Sequence, residues 1–257
     1  MDPRFILTPF FLDQPLPGLE SLRDPEWIVN HPALPGGNPQ TRMVELYKPL
    51  AQLVETVINS GELPVSLAGD CCTSIGILAG LQRAGVDPTL IWFDAHGDFN
   101  TWETSPSEFL GGMPLAMLVG RGEQTLMEGV GTRALPEQQV ILSDARDLDP
   151  GEREALVNSE VVHLQDVQDI LDFPLPPGPL WVHFDTDVID AGEAPAMNYP
   201  TPGGPGAIQL SEVFSYLAGS GQIAAVSISS WNPELDQDGR SQDTSMGLVQ
   251  DLIQHIN

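Results

Sequence analysis

Residues 89–100 read TLIWFDAHGDFN. The stretch from Thr89 to Phe93 is apolar, with branched and aromatic side chains, as a strand covered on both faces requires. It stops abruptly at Asp94, and three polar side chains, Asp94, His96 and Asp98, then crowd one turn. In an open parallel sheet, ligands bind beyond the carboxyl ends of the strands. An apolar strand that ends in two carboxylates and an imidazole therefore predicts both a buried parallel sheet and chemistry at its tip.

The same arrangement recurs along the chain. Residues 180–184 (LWVHF) lead into Asp185-Thr186-Asp187, with Asp190 three positions on. Residues 64–67 lead into Gly69-Asp70-Cys71-Cys72-Thr73. Further strands are expected at residues 4–12, 139–142, 161–164 and 223–229. Helical spacing of apolar residues is expected over 42–60, 72–84, 210–218 and 244–255, where Met246, Val249, Leu252, Ile253 and Ile256 share a stripe. Strands alternating with helices predict an α/β fold with a mainly parallel sheet and helices on both faces. Short Pro- and Gly-rich stretches at 16–18, 32–39, 173–179 and 195–206 read as loops inside one unit. A chain of 257 residues suits a single domain over 1–257.

Charge narrows the partners. Asp and Glu number 36 against 10 Lys and Arg, a formal net charge of -26. That field repels nucleic acid and anionic lipid and favours divalent metals, amines and guanidinium compounds. Neither nucleic acid nor a membrane is an expected partner. The two cysteines, Cys71 and Cys72, are adjacent and make no disulfide framework. No basic segment followed by an apolar run opens the chain, and no run of roughly 18 apolar residues occurs. The expected location is the cytoplasm.

A lone Asp-x-Asp at a strand end serves well enough as a turn or a cap. Four carboxylates at two neighbouring strand ends are different, because they repel in a partly buried cleft. Hard divalent cations remove that conflict. Carboxylates with one imidazole suit Mn²⁺ better than a sulfur-preferring metal, although ligand type also admits Mg²⁺, Fe²⁺ and Zn²⁺. Two such ions sharing a carboxylate would acidify a water between them into a nucleophile near neutral pH.

These motifs resemble those of the ureohydrolase (arginase/agmatinase/formiminoglutamase) family. DAHGDFN (94–100) is similar to its most specific motif, and HFDTD (183–187) with Asp190 to its second metal motif. LAGDCCTSIG (67–76) is similar to a third, where the family usually has Gly-Gly-Asp-His-Ser. The similarity runs from about residue 63 to residue 233 and is closest to arginase. It implies a three-layer α/β/α fold around an eight-stranded sheet, and assembly as a trimer or hexamer. By position, Asp94 and Asp185 would bridge two metals, with Mn²⁺ expected as one or two ions. Asp98 would complete one site with Cys71, and His96 and Asp187 would complete the other. Asp98 and His96 are the catalytic candidates. Asn100 and Ser107 fall where the family holds a substrate α-carboxylate, and Asp149, in the segment 146–152, falls where it meets the α-amino group. A neutral amide and hydroxyl suit a carboxylate, and an anionic Asp suits an ammonium. The plainer reading of 147–151 is an Asx-type turn.

Three positions depart from the resemblance. Cys71 stands for the usual metal-binding His, and thiolate is softer than Mn²⁺ prefers. Gly111 stands where arginases carry a proton-shuttling His. Ser230 stands where the family has a Glu that grips the guanidinium, a contact worth about 2–5 kcal/mol when the cation is buried. Trp231 offers a face for a planar group, or packs in the core. The expected function is metal-dependent hydrolysis of a linear C–N bond of amidine or guanidino type in a small cationic or amino-acid-like substrate, without ordinary efficient arginase activity. The alternative is a non-catalytic metal- or amino-acid-binding protein on the same scaffold.

Overall fold

Leu90 and Trp92 pack into one layer of helices while Ile91 and Phe93 pack into the other. The strand read from residues 89–94 is thus buried on both sides, which is why it carries no polar face. The computed structural model describes residues 1–254. Its strands are β1 (Pro3–Thr8), β2 (Phe10–Phe11), β3 (Gln14–Pro15), β4 (Ile28–Val29), β5 (Leu63–Ala68), β6 (Thr89–His96), β7 (Val140–Asp147), β8 (Val162–Leu164), β9 (Leu180–Asp185) and β10 (Ile223–Ser229). Eight of them form one sheet in the order β4-β1-β5-β10-β9-β6-β7-β8. Every pairing in it is parallel. The fold is a three-layer α/β/α sandwich.

The helices are α1 (Pro39–Asn59), α2 (Ser74–Arg83), α3 (Pro114–Leu118), α4 (Thr125–Val130), α5 (Pro150–Val157), α6 (Ala207–Gly219) and α7 (Arg240–Ile253). Buried residues of α1 to α5 share one core with Trp92 and Trp181. Those of α6 and α7 share the other with Phe93, Val182 and Phe184. Among the described residues no helix is long and apolar enough to cross a membrane.

The differences from expectation have local causes. The strand expected over 4–12 ends at Thr8, because Pro9 has no N–H to donate to a ladder. Phe10 and Phe11 instead form a small antiparallel ribbon with Gln14 and Pro15. β4 was not expected, since two residues carry no periodicity. β6 and β7 run past their expected ends, to His96 and Asp147, and the register between them slips between Asp94 and His96. α1 starts before residue 42, because Asn38 accepts the Thr41 N–H at 2.8 Å and Pro39 opens the helix. α7 begins at Arg240 rather than 244; His255 and Ile256 of the expected stripe lie outside the described residues. The expected turn at 147–151 is a helix start: Asp149 is the N-cap of α5, Pro150 is its first residue, and the Asp149 N–H donates to Glu152 Oε2 at 3.1 Å.

Phe214 on α6 meets the rings of Phe93 and Phe184 edge-on at 5.1 Å each, locking that helix to the two strands that end in the acidic motifs. Phe214→Ala is expected to lower unfolding stability by about 3–5 kcal/mol in urea titrations. A loss below about 1 kcal/mol would show that α6 contributes little to holding β6 against β9.

Candidate metal centre

β5, β10, β9 and β6 are neighbours, so the segments leaving their carboxyl ends meet above the middle of the sheet. Phe93 pairs with Phe184, which sets Asp94 and Asp185 at one level, and Ser229 pairs with Asp185. Asp94, Asp98, Asp185 and Asp187 are all buried. The ligand atoms of Asp94, His96 and Asp187 lie within 4.8 Å of one another, and so do those of Cys71, Asp94 and Asp185. Asp94 belongs to both groups. Asp98 belongs to neither and approaches from the turn that follows.

Part of the Asp94 and Asp185 carboxylates does local work. The His96 N–H donates to Asp94 Oδ1 at 2.7 Å, and the Asp187 N–H to Asp185 Oδ1 at 2.9 Å. These are the caps that Asp supplies at a strand end. Asp94 Oδ2 accepts the Trp92 indole N–H at 3.0 Å. Asp187 Oδ2 lies 3.1 Å from His96 Nδ1, and Asp185 Oδ2 accepts the Cys71 thiol at 2.8 Å and the Ser230 hydroxyl. Asp98 Oδ2 is buried without any hydrogen-bond partner. Asp98 sits in the left-handed region at φ 49°, which Asp tolerates better than most residues. Gly97 makes that turn feasible: a Cβ there would lie 2.5 Å from Leu148 Cδ2 and 2.7 Å from Glu152 Cδ.

The charges conflict. Burial, reinforced by the neighbouring carboxylates, pushes Asp98 and Asp185 well above the usual carboxylate range and raises Asp187. Burial also opposes a charge on Asp94, but His96 outweighs it and keeps Asp94 low. Burial opposes the imidazolium of His96, yet Asp187 and Asp94 together push that ring up to about 12. One imidazolium cannot compensate four buried carboxylates. Hard divalent cations can, and the unpartnered Asp98 Oδ2 is the kind of atom such a cation satisfies. The residues present fit a metal centre.

The family model for the arginase family matches residues 28–254. The chain belongs to the arginase family. The arginase of Bacillus subtilis (strain 168) is 32% identical over 247 residues, which cover 91% of this chain and 80% of the relative. The N(omega)-hydroxy-L-arginine amidinohydrolase of Streptomyces lavendulae is 28% identical over 257 residues, 98% of this chain and 86% of its own. A crystal structure of Bacillus subtilis arginase superposes with a TM-score of 0.82 at 29% identity, with 98% of each chain covered. The match extends well beyond the 63–233 span suggested by the motifs alone.

In this site Cys71, Ser230, Ser229 and His183 gather around Asp185. Cys71 Sγ lies 2.9 Å from Ser229 Oγ and 3.3 Å from His183 Nε2, besides its bond to Asp185. Burial and the charge on Asp185 push the Cys71 thiol far up, so Cys71 is a hydrogen-bond donor to Asp185. His183 is itself held neutral, with burial bringing it down to about 3 while it stacks on Trp92 at 3.7 Å. Ser230, at φ 71°, spends its hydroxyl on Asp185.

A cavity of about 450 Å³ opens over the centre. Asn100, Ser107, Asp149 and Ser230 all line it. Asn100 Nδ2 donates to Asp149 Oδ2 at 3.0 Å, bringing two head-group candidates together. Ser107 is exposed at the rim, 3.3 Å from Ser105 Oγ. Asp190 does not line it and accepts the Gly192 N–H instead. Trp231 is a core residue rather than a stacking platform: it is buried, and its Nε1 donates to Asp236 Oδ2 at 3.0 Å.

Two residues beside the centre were given no role in the sequence reading. Glu152 accepts the Phe99 N–H at 2.8 Å as well as that of Asp149, and burial raises it to about 7. The capping-box spacing from Asp149 to Glu152 was a legible signal for it. Thr201 had none. Its hydroxyl lies 3.3 Å from His96 Nε2, the nitrogen facing away from the carboxylates. Arg146 anchors the loop that carries it, donating to the carbonyls of Thr201 and Asp187 at 3.0 and 3.2 Å. Thr201→Val is expected to lower divalent-metal affinity about 10–100-fold, the usual cost of losing a partner that orients a metal-binding His. Competition with a chromophoric chelator measures it; unchanged affinity would remove Thr201 from that role.

Proposed function

We propose that this chain hydrolyses a linear C–N bond of amidine or guanidino type in a small cationic, amino-acid-like molecule, using divalent cations held by Asp94, His96, Asp98, Asp185, Asp187 and Cys71. The observation that carries this reading is the convergence of four buried carboxylates at the base of one cavity, three of them lining it, with Asp98 Oδ2 left without a partner among the described residues. Mn²⁺ is the favoured ion on ligand hardness. The same reading includes a cytoplasmic homo-oligomer.

Bound divalent cations supply charge neutralisation and the acidification of water. The chain supplies the rest. Asp149 meets the ammonium of the head group, and Asn100 with Ser107 meets its carboxylate. Asp98 accepts a proton at Oδ2. Thr201 holds the His96 ring in one orientation. The catalytic power expected is below that of an ordinary arginase, because Gly111 offers no imidazole to protonate the leaving amine, and general acid–base help is typically worth about 10²–10⁴-fold.

Turnover of arginine, N-hydroxyarginine, agmatine and formiminoglutamate by metal-loaded protein tests the reading. Wild type is expected to release product from at least one, and Asp98→Asn to lower that rate by about 10²–10⁴-fold. Equal rates would refute the assignment of Asp98.

A second reading, a binding protein without turnover, is favoured by one observation: the Cys71 thiol and the Ser230 hydroxyl both donate to Asp185 Oδ2. Metal content separates the two. Two ions per chain favour hydrolysis, and none after addition of Mn²⁺ favours binding alone. Cys71→His is expected to tighten uptake of the second Mn²⁺; an unchanged stoichiometry and affinity would exclude Cys71 from the ligand set.

A further inference from the structure

Three rings line one side of the cavity above the carboxylates. Phe11 and Phe109 lie 6.4 Å apart with planes within 15°, and Phe109 and Tyr199 lie 5.4 Å apart at 48°. Tyr199 is 51% exposed, so its ring is at the mouth. Phe109 is tied to the head-group region by its N–H, which donates to Ser107 Oγ at 3.3 Å. Gly111 makes room for this ring: a Cβ at 111 would stand 2.4 Å from Phe109 Cε1. The missing side chain at 111 and the aromatic wall are therefore one feature.

The chemistry of the wall follows from what surrounds it. Apart from His96, every charged residue lining the cavity is acidic, and no Lys or Arg lines it among the described residues. Such a field draws a cation in. Ser230 stands where a carboxylate grip would be needed, and its hydroxyl already donates to Asp185. An unsubstituted guanidinium placed between the rings and Ser230 would turn N–H donors toward groups that cannot accept them, which is costly once water is excluded. A cation with alkyl groups on nitrogen has fewer donors to satisfy and more apolar surface for the ring faces, which attract cations.

We propose that the Phe11–Phe109–Tyr199 wall determines specificity and selects a substrate whose distal cation is an N-alkylated guanidinium or amidinium. The proposal rests on the functional reading above for the head group and the metal floor. It adds the class of distal group.

Calorimetric titration of metal-loaded protein with arginine, asymmetric dimethylarginine and citrulline tests it, with product release recorded separately. Dimethylarginine is expected to bind at least about 10-fold more tightly than arginine, which would exceed the effect typical of one exposed cation–π contact. Phe109→Leu should remove most of that preference and leave citrulline binding unchanged. Gly111→Ala should do the same by displacing the ring without altering its chemistry. Circular dichroism and metal content confirm that each variant is folded. Arginine binding as tightly as dimethylarginine, no binding of either, or a Phe109→Leu loss equal for the cationic and neutral ligands would overturn the proposal. Arginine cleaved and preferred would sink this inference and keep the hydrolase. Dimethylarginine preferred but no ligand cleaved would keep this inference and sink the hydrolase.

Discussion

Mutual repulsion among four buried carboxylates is the constraint around which this molecule is organised. Asp94 and Asp185 directly follow the last pair of the adjacent parallel strands β6 and β9, Phe93 with Phe184, and Asp98 and Asp187 lie in the turns just beyond, all four buried. His96 relieves part of the conflict through Asp187 and Asp94. The remainder calls for cations, and the unpartnered oxygen of Asp98 marks where the chain alone leaves an acceptor unsatisfied.

The scaffold makes that crowding tolerable. Both faces of the central strands are covered by helices, so the sheet is rigid, and the acidic groups project from the one edge where backbone ends and cavity begins. Asp94, Asp185 and Asp187 also accept backbone N–H groups, which fixes the direction of each carboxylate. Hydroxyl, thiol and aromatic groups stand beside this centre. Cys71 and Ser230 both turn to Asp185, and Gly111 yields its space to Phe109. The cavity thus has carboxylates at its base and hydroxyl and aromatic groups along its wall.

Much of this could be read from the chain. The strand starts at Thr89, Leu180 and Ile223 fall where expected, because long apolar runs bounded by turn residues leave few alternatives. Helices α1, α2, α6 and α7 were legible from apolar spacing. Short elements were not: β4 has two residues, and α3 and α4 have five and six. At α5 the turn offered as the plainer reading is a helix cap, since Asp followed by Pro serves both and only Glu152 at the third helical position distinguishes them.

The sequence by itself determined the element order, the parallel sheet and the placement of carboxylates, His96 and Cys71 at strand ends, because these follow from periodicity and from residue chemistry along a local stretch. Tertiary structure alone decided which side chains face one another. That Thr201 meets His96, that Asn100 meets Asp149, that Cys71 and Ser230 share Asp185, and that Phe109 lies across Gly111 next to Tyr199 are contacts between segments brought together by the sheet order. Trp231 was settled in the same way, by the core packed around it. Contacts of this kind depend on the three-dimensional path of the whole chain, and no local pattern of residues encodes them.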